Sequence, residues 1–268
     1  MITLQQILDS QSLILKDKKV RLVRHKDNRQ EYRHAMKDRE ALLEYQRNQG
    51  DDFFKGCDYI ISFAGTSYKQ SIFLGVFKIL GVEPRDGRYY YDLQPVPEFE
   101  DLVDRLVIDW GGSARAWNQW YDRQPKEVTE IRPKGYIGNF PGLLEFVLDY
   151  NELRQLVSNP DSNIEWRHHL SSVNGVYLIL DNSTGAQYVG SAYGQNGIWQ
   201  RWCNYAQDAT GGNRELKSLI EKDSNHHRHF KFSVLQTLPS NLTPNEIIAV
   251  EKLYKDKLGS RMHGMNLN

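Results

Sequence analysis

The sequence predicts an α+β protein in two parts: an N-terminal α+β domain built on a curved sheet or barrel, and a C-terminal small antiparallel sheet flanked by helices. Three observations lead there. Short β-rich runs recur between residues 59 and 131, and helical periodicities with recognisable start signals take over after residue 145. Between them Asn159-Pro160-Asp161-Ser162-Asn163 is the clearest break in the chain, rich in residues that favour turns. With Trp166–Leu170 as a connector, the domains are 1–165 and 166–268, lengths ordinary for single domains.

The elements follow in order. Residues 2–15 read as an amphipathic helix, with Ile2, Leu4, Ile7, Leu8, Leu13 and Ile14 on its apolar side. Residues 30–49 read as a second helix through Tyr32, Met36, Leu42, Leu43 and Tyr45. Five strands are then expected, at Tyr59–Phe63, Ile72–Ile79, Tyr89–Leu93, Leu106–Trp110 and Val128–Ile131, the third entered through the turn signal Asp86-Gly87. Gly75 inside a strand pattern points to a bulge or a close backbone approach. Glu145–Val157 is helical in pattern, and Val176–Leu180, the polar turn Asp181–Gly185 and Gln187–Gly190 form a hairpin.

Helix Ile198–Gln207 places Ile198, Trp202 and Ala206 on one stripe, and Arg201 and Tyr205, four residues apart, on another. Gly211-Gly212-Asn213 is a turn between helices. Thr243-Pro244-Asn245-Glu246 has the form of a capping box with proline at the first helical position. It opens a helix expected to face inward through Ile247, Val250, Leu253, Tyr254 and Leu258. Glu251 stands among those positions, where a carboxylate is costly unless paired or bound to a metal. The chain closes on the glycine-led His263-Gly264-Met265-Asn266.

Composition excludes several classes. The chain is 40% hydrophobic and 25% charged, with 34 basic and 34 acidic residues, which is ordinary globular usage. No stretch of eighteen apolar residues spans a bilayer, and the N-terminus lacks the pattern of a secretory signal. Cys57 and Cys203 are too sparse for a disulfide framework or a thiolate zinc site. The cytoplasm is the expected compartment. From Lys16 to Arg47 eleven Lys and Arg face six Asp and Glu, a locally basic tract that is either a nucleic-acid patch or a solvated helix face.

Gly175-Val176-Tyr177, with Tyr188-Val189-Gly190 eleven residues on, resembles the paired signature of the GIY-YIG nuclease superfamily, valine standing for isoleucine. In that family a helix with an arginine and, one turn later, a tyrosine or histidine follows, matched by Arg201 and Tyr205. A glutamate on a later helix is matched by Glu251, with Glu246 the competing choice, and a terminal G-x-N strand by Gly264-Met265-Asn266. The elements occur in order over about 95 residues of the C-terminal domain.

The resemblance implies a metal-dependent endonuclease acting on double-stranded DNA. Phosphodiester hydrolysis needs an activated water, charge neutralisation and help for the departing oxygen. The implied roles are Glu251 as ligand to Mg²⁺ (or Mn²⁺) and Arg201 as a fork on phosphate. Tyr177 is implied to take the water's proton once its phenol is made more acidic than usual. Tyr205 assists that transfer, Tyr188 hydrogen-bonds phosphate or water, and Asn266 fixes the geometry near Glu251 and the sheet edge.

The aromatic-rich N-terminal domain has a PUA-like or EVE-like flavour at Asp58–Phe63 and Phe73–Phe77, which implies binding of a base, including a modified one, between rings. Candidate DNA contacts are Arg21, Arg24, Lys26, Trp110 and Trp117, with Lys217 in the second domain. Asp109 either reads a base edge or caps the Gly111-Gly112 turn. The implied whole is a restriction- or defence-type enzyme, acting as a homodimer if both strands are cut together. A repair, homing-type or RNA-directed nuclease, or an inactive DNA-binding relative, is the alternative. His226-His227-Arg228-His229 lacks a familiar metal spacing and reads as an exposed loop with affinity for phosphate.

Overall fold

Tyr59-Ile60-Ile61-Ser62-Phe63 shows no polar alternation because both faces of its strand are covered. Tyr59, Ile61 and Phe63 join one apolar cluster and Ile60 the opposite one. The computed structural model describes residues 1–26, 39–66, 69–112 and 116–266, and these form two compact units, Met1–Pro133 and Lys134–Asn268.

The first unit begins with helix α1 (Leu4–Gln11), started by a Thr3/Gln6 capping box. Strand β1 (Val20–His25), helix α2 (Arg39–Arg47), and strands β2 (Asn48–Gln49), β3 (Tyr59–Gly65), β4 (Gln70–Arg85), β5 (Arg88–Pro95), β6 (Leu106–Asp109), β7 (Asn118–Trp120) and β8 (Val128–Ile131) follow. They build a curled sheet in the order β2-β5-β4-β3-β1-β7, with β6 joining β4 to β8. All five expected strands are present, the second and third longer than read. Gly75, at φ +139°, sits at the register shift between β3 and β4, the expected bulge.

Strand β1 was read only as part of a basic tract, yet it runs parallel to β3 in the sheet. Its polar residues are buried with partners. His25 Nε2 and Ser62 Oγ both bond Gln46 Oε1, and Arg24 donates to the Gln70 carbonyl. Part of the predicted helix 30–49 is seen as α2, while residues 27–38 lie outside the described residues.

The second unit starts upstream of the predicted boundary at 165/166. Strand β9 (Leu148–Asp149) pairs with Lys231 and Phe232, so it belongs to the C-terminal sheet. Helix α3 (Tyr150–Ser158) buries Tyr150, Leu153 and Leu156 in that sheet's core. The expected connector is itself helical, α4 (Ile164–Ser171), because Trp166 and Leu170 have core to fill. The Asn159–Asn163 turn therefore joins two helices of one unit rather than two domains.

Strands β10 (Asn174–Asp181), β11 (Gln187–Ala192) and β12 (Phe230–Leu238) complete a four-stranded antiparallel sheet in the order β11-β10-β12-β9. Helix α5 (Gly197–Asp208) covers the face bearing Tyr177 and Ile179. Helix α6 (Arg214–Lys222) is capped by Asn213, and α7 (Pro244–Leu258) by the predicted Thr243/Glu246 box. Helix α7 covers the opposite face through Ile247, Val250 and Tyr254. Leu253 and Leu258 do not face inward as expected. Leu253 is six residues from Ile247, about 240° around the helix, and Leu258 is the helix's last residue.

After the short helix α8 (Ser260–His263), the terminal segment is not a strand, but it serves the open edge of β11. Met265 N–H donates to the Gln187 carbonyl, and the Asn266 side-chain amide pairs with both N–H and C=O of Val189. An exposed sheet edge is thereby partly closed. No helix among the described residues is long and apolar enough to cross a membrane.

The histidine run forms a turn whose business is structural. Asp181, fully buried at the end of β10, accepts from Ser183, Thr184 and His226 Nε2. Burial alone would raise its pKa, but these hydrogen bonds outweigh it and hold the carboxyl at about 2, against an ordinary 3.8. A depressed folded-state pKa contributes stability above the unfolded value and loses it as pH falls through the folded one. The stability lead of the parent over Asp181→Asn is thus expected to be full above pH 4, on the order of 2 kcal/mol, and to shrink between pH 4 and 2. Urea denaturation of both proteins across that range checks it; a lead independent of pH would refute the account.

Candidate active site

The strand pair β10–β11 sets Tyr177 directly opposite Gly190. Directly opposed residues share a face, and a Cβ at position 190 would run into the Tyr177 ring and hydroxyl. The glycine of the second signature triplet is therefore required by the tyrosine of the first. Tyr188, two residues before Gly190, lies on the same face, its ring centre 6.4 Å from that of Tyr177.

Helix α5 lays Arg201 and Tyr205 against this face. Tyr177 and Tyr205 are fully buried and share a hydrogen bond of 3.0 Å between their hydroxyls. Arg201 donates from Nε to the Tyr177 hydroxyl (3.0 Å) and from Nη2 to that of Tyr205 (3.4 Å). Two phenols thus hold one edge of the guanidinium, a planar fork whose orientation is set before any ligand arrives. Burial drives the pKa of both phenols upward. Burial thus moves Tyr177 in the direction opposite to the acidified phenol expected of a proton acceptor.

Glu251 approaches from α7, on the other face. Ser191, whose side chain alternates to that face, donates to its Oε2, and Lys255 Nζ stands 2.7 Å from its Oε1. The two faces meet around β11. There a cleft of about 480 Å³ is lined by Tyr188, Ser191, Arg201, Glu251, Lys252, Lys255 and Arg261, among others. Tyr188, Arg201 and Glu251 thus open on one space. Tyr177 and Tyr205 stand behind Arg201, and Asn266 anchors β11 from its edge. Glu246 is occupied by the cap, where its carboxylate accepts from Thr243 N–H and hydroxyl.

Among the described residues no group of three or more His, Cys, Asp or Glu side chains is arranged to hold a metal, the histidine run included. Glu251 is the one carboxylate among the described residues of the cleft. A carboxylate has about four acceptor positions, so one hard cation fits beside the Ser191 and Lys255 contacts, the rest of its shell being water and phosphate.

The N-terminal candidates fare differently. Trp110 is completely buried, its indole N–H bonded to the Ala116 carbonyl, and Arg24 is buried near its ring. Both are core residues rather than DNA contacts, because a curled sheet covered on both faces draws them in. Asp109 caps the turn through Gly111 N–H. Arg21 is half-buried, stacked on Trp120 at 3.7 Å and bonded to Asn118. Trp117 packs edge-on against Phe53. Lys26 is exposed, and Lys217 is exposed beside Glu221 on α6. Sequence reading missed Ser191 and Lys255; only the four-residue step from Glu251 to Lys255 could have signalled the pair.

No protein-family model matches the chain, and no curated protein matches it. Two solved structures align with it, both of the catalytic domain of the intron homing endonuclease I-TevI, one of them a mutant. Each is 24% identical with a TM-score of 0.30; they span 36% and 35% of this chain and 94% and 98% of theirs.

Gly190→Ala is expected to push the Tyr177 ring off its seat and cost about 1–3 kcal/mol, visible as a lowered denaturation midpoint. An unchanged midpoint would show that the ring has room to move.

Proposed function

We propose that this cleft hydrolyses phosphodiester bonds of double-stranded DNA with Mg²⁺ or Mn²⁺. The observation that carries the reading is that Tyr188, Arg201 and Glu251, far apart in sequence and drawn from opposite faces of the sheet, line one cleft of a size for a backbone phosphate and its sugar. Arg201 turns its remaining N–H groups to a non-bridging oxygen, steadied by Tyr177 and Tyr205. Tyr188, the phenol that lines the cleft, hydrogen-bonds the phosphate or the attacking water. Glu251 holds the divalent ion, which when bound supplies charge for the phosphate and the leaving oxygen. Ser191 and Asn266 keep the carboxylate and strand β11 in place.

In the same reading Met1–Pro133 selects the target, as in a restriction- or defence-type enzyme, with modified DNA as the substrate that its PUA-like or EVE-like resemblance suggests. Its separate sheet and core support a distinct task, while the cleft's groups suit phosphate rather than base edges. A homodimer would supply one cleft per strand.

Plasmid DNA is expected to be cut with Mg²⁺ and spared with EDTA on an agarose gel. Arg201→Ala should slow cutting by about 10²–10³, and Glu251→Gln by at least as much, both with unchanged far-UV circular dichroism. Cutting by Arg201→Ala at the parent's rate would overturn the assignment. Plasmids that are unmodified, methylated or hydroxymethylated should be cut at different rates; equal rates would remove modification-dependent targeting and leave the hydrolysis intact.

A further inference from the structure

Lys255 is 6% exposed, and its ammonium rests against Glu251, itself 15% exposed. A glutamate–lysine pair four residues apart on a solvated helix face contributes only a few tenths of a kcal/mol. Here the pair is drawn inside and lines the cleft. Lysine is seldom buried without a reason of charge, and Glu251 is the one carboxylate in a cleft that also holds Arg201 and Lys252. With Arg261 paired to Asp256, three cations (Arg201, Lys252 and Lys255) still face one carboxylate, an excess of positive charge in a concave, part-dry space that attracts an anion.

We propose that Lys255 is a substrate-binding residue: its ammonium captures a non-bridging oxygen of a duplex-DNA backbone phosphate before any divalent cation binds. The proposal rests on the nuclease reading and adds to it a residue and an order of events. Lys252 and Arg261 are exposed, so solvent and salt screen them. Lys255 is positioned by Glu251 and poorly solvated, so its charge acts at fuller strength. A lysine ammonium is a compact point charge with rotatable donors, able to serve a carboxylate and a phosphate oxygen together. Ser191 restrains Glu251 from following the ammonium toward the phosphate. The same ammonium opposes a divalent ion at Glu251 until phosphate charge is present to offset it.

The two halves of this proposal predict effects of opposite sign. With the full chain and a fluorescent 20-base-pair duplex in EDTA, Lys255→Met is expected to lower affinity at least fivefold by anisotropy, and Lys255→Arg to retain most of it. Without DNA, Lys255→Met is expected to bind Mn²⁺ several-fold more tightly by calorimetry. Glu251→Gln, which removes the carboxylate charge beside the ammonium, should bind the duplex in EDTA more tightly than the parent. A merely structural pair would weaken or leave unchanged both ligands in both variants, and thermal unfolding shows whether each variant folds. Duplex binding by Lys255→Met equal to the parent's, or weaker binding by Glu251→Gln, overturns the proposal. A parent that cuts DNA while Lys255→Met binds it undiminished loses this inference alone; a parent that binds in EDTA through Lys255 yet never cuts loses the nuclease reading alone.

Discussion

The ring of Tyr177 occupies the space that any side chain at position 190 would need, and the geometry of the cleft descends from that one steric fact. Because the two residues are cross-strand partners, the ring is fixed by the sheet and not by a loop. Its hydroxyl is thereby brought to Arg201 Nε and Tyr205, with Trp202 packed edge-on beside it. The guanidinium inherits the precision of two paired strands and a helix, which is the condition for charge stabilisation without reorganisation.

The second constraint is topological. In a sheet ordered β11-β10-β12-β9, the strand carrying Tyr188 and Ser191 is the edge. Alternation sends those two side chains to opposite faces, so α5 and α7, which never share a face, both reach the same rim. An edge strand is a liability when open, and here its outer backbone is partly satisfied by Met265 N–H and the Asn266 amide. Asn266 thus ties the C-terminal segment to the edge strand whose side chains line the cleft.

How much of this was legible depended on whether local chemistry and tertiary demand agreed. The hairpin, the Thr243 cap and the bulge at Gly75 each had a local cause, and each is found where it was read. Strand β1 was not legible, because Arg21, Arg24 and His25 look like surface; partners distant in sequence, among them Gln46, Gln70, Asn118 and the neighbouring aromatic rings, make their burial tolerable. The Asn159–Asn163 turn misled for the converse reason. Its composition reports a change of chain direction and says nothing about whether the helices on either side share a core, which Tyr150 and Trp166 show they do. Of the cleft, Tyr188, Arg201 and Glu251 were legible as a pattern. Ser191 and Lys255 were not, since a serine and a lysine carry no signal until the partner carboxylate is placed.

The chain carries no net charge, yet its charges are unevenly placed. Within the cleft Arg201, Lys252 and Lys255 meet one carboxylate, Glu251, while Arg261 is paired with Asp256, and such a local imbalance shapes the field there. Neutral phenols complete the arrangement. Were Tyr177 ionised in the resting protein, its negative charge would sit against Arg201 and cancel part of the positive field of the cleft. An ordinary phenol is already protonated near neutral pH, and burial pushes Tyr177 further in that direction. The burial that disfavours a charged Tyr177 thereby leaves the positive charge of Arg201 uncompensated by the phenols that hold it.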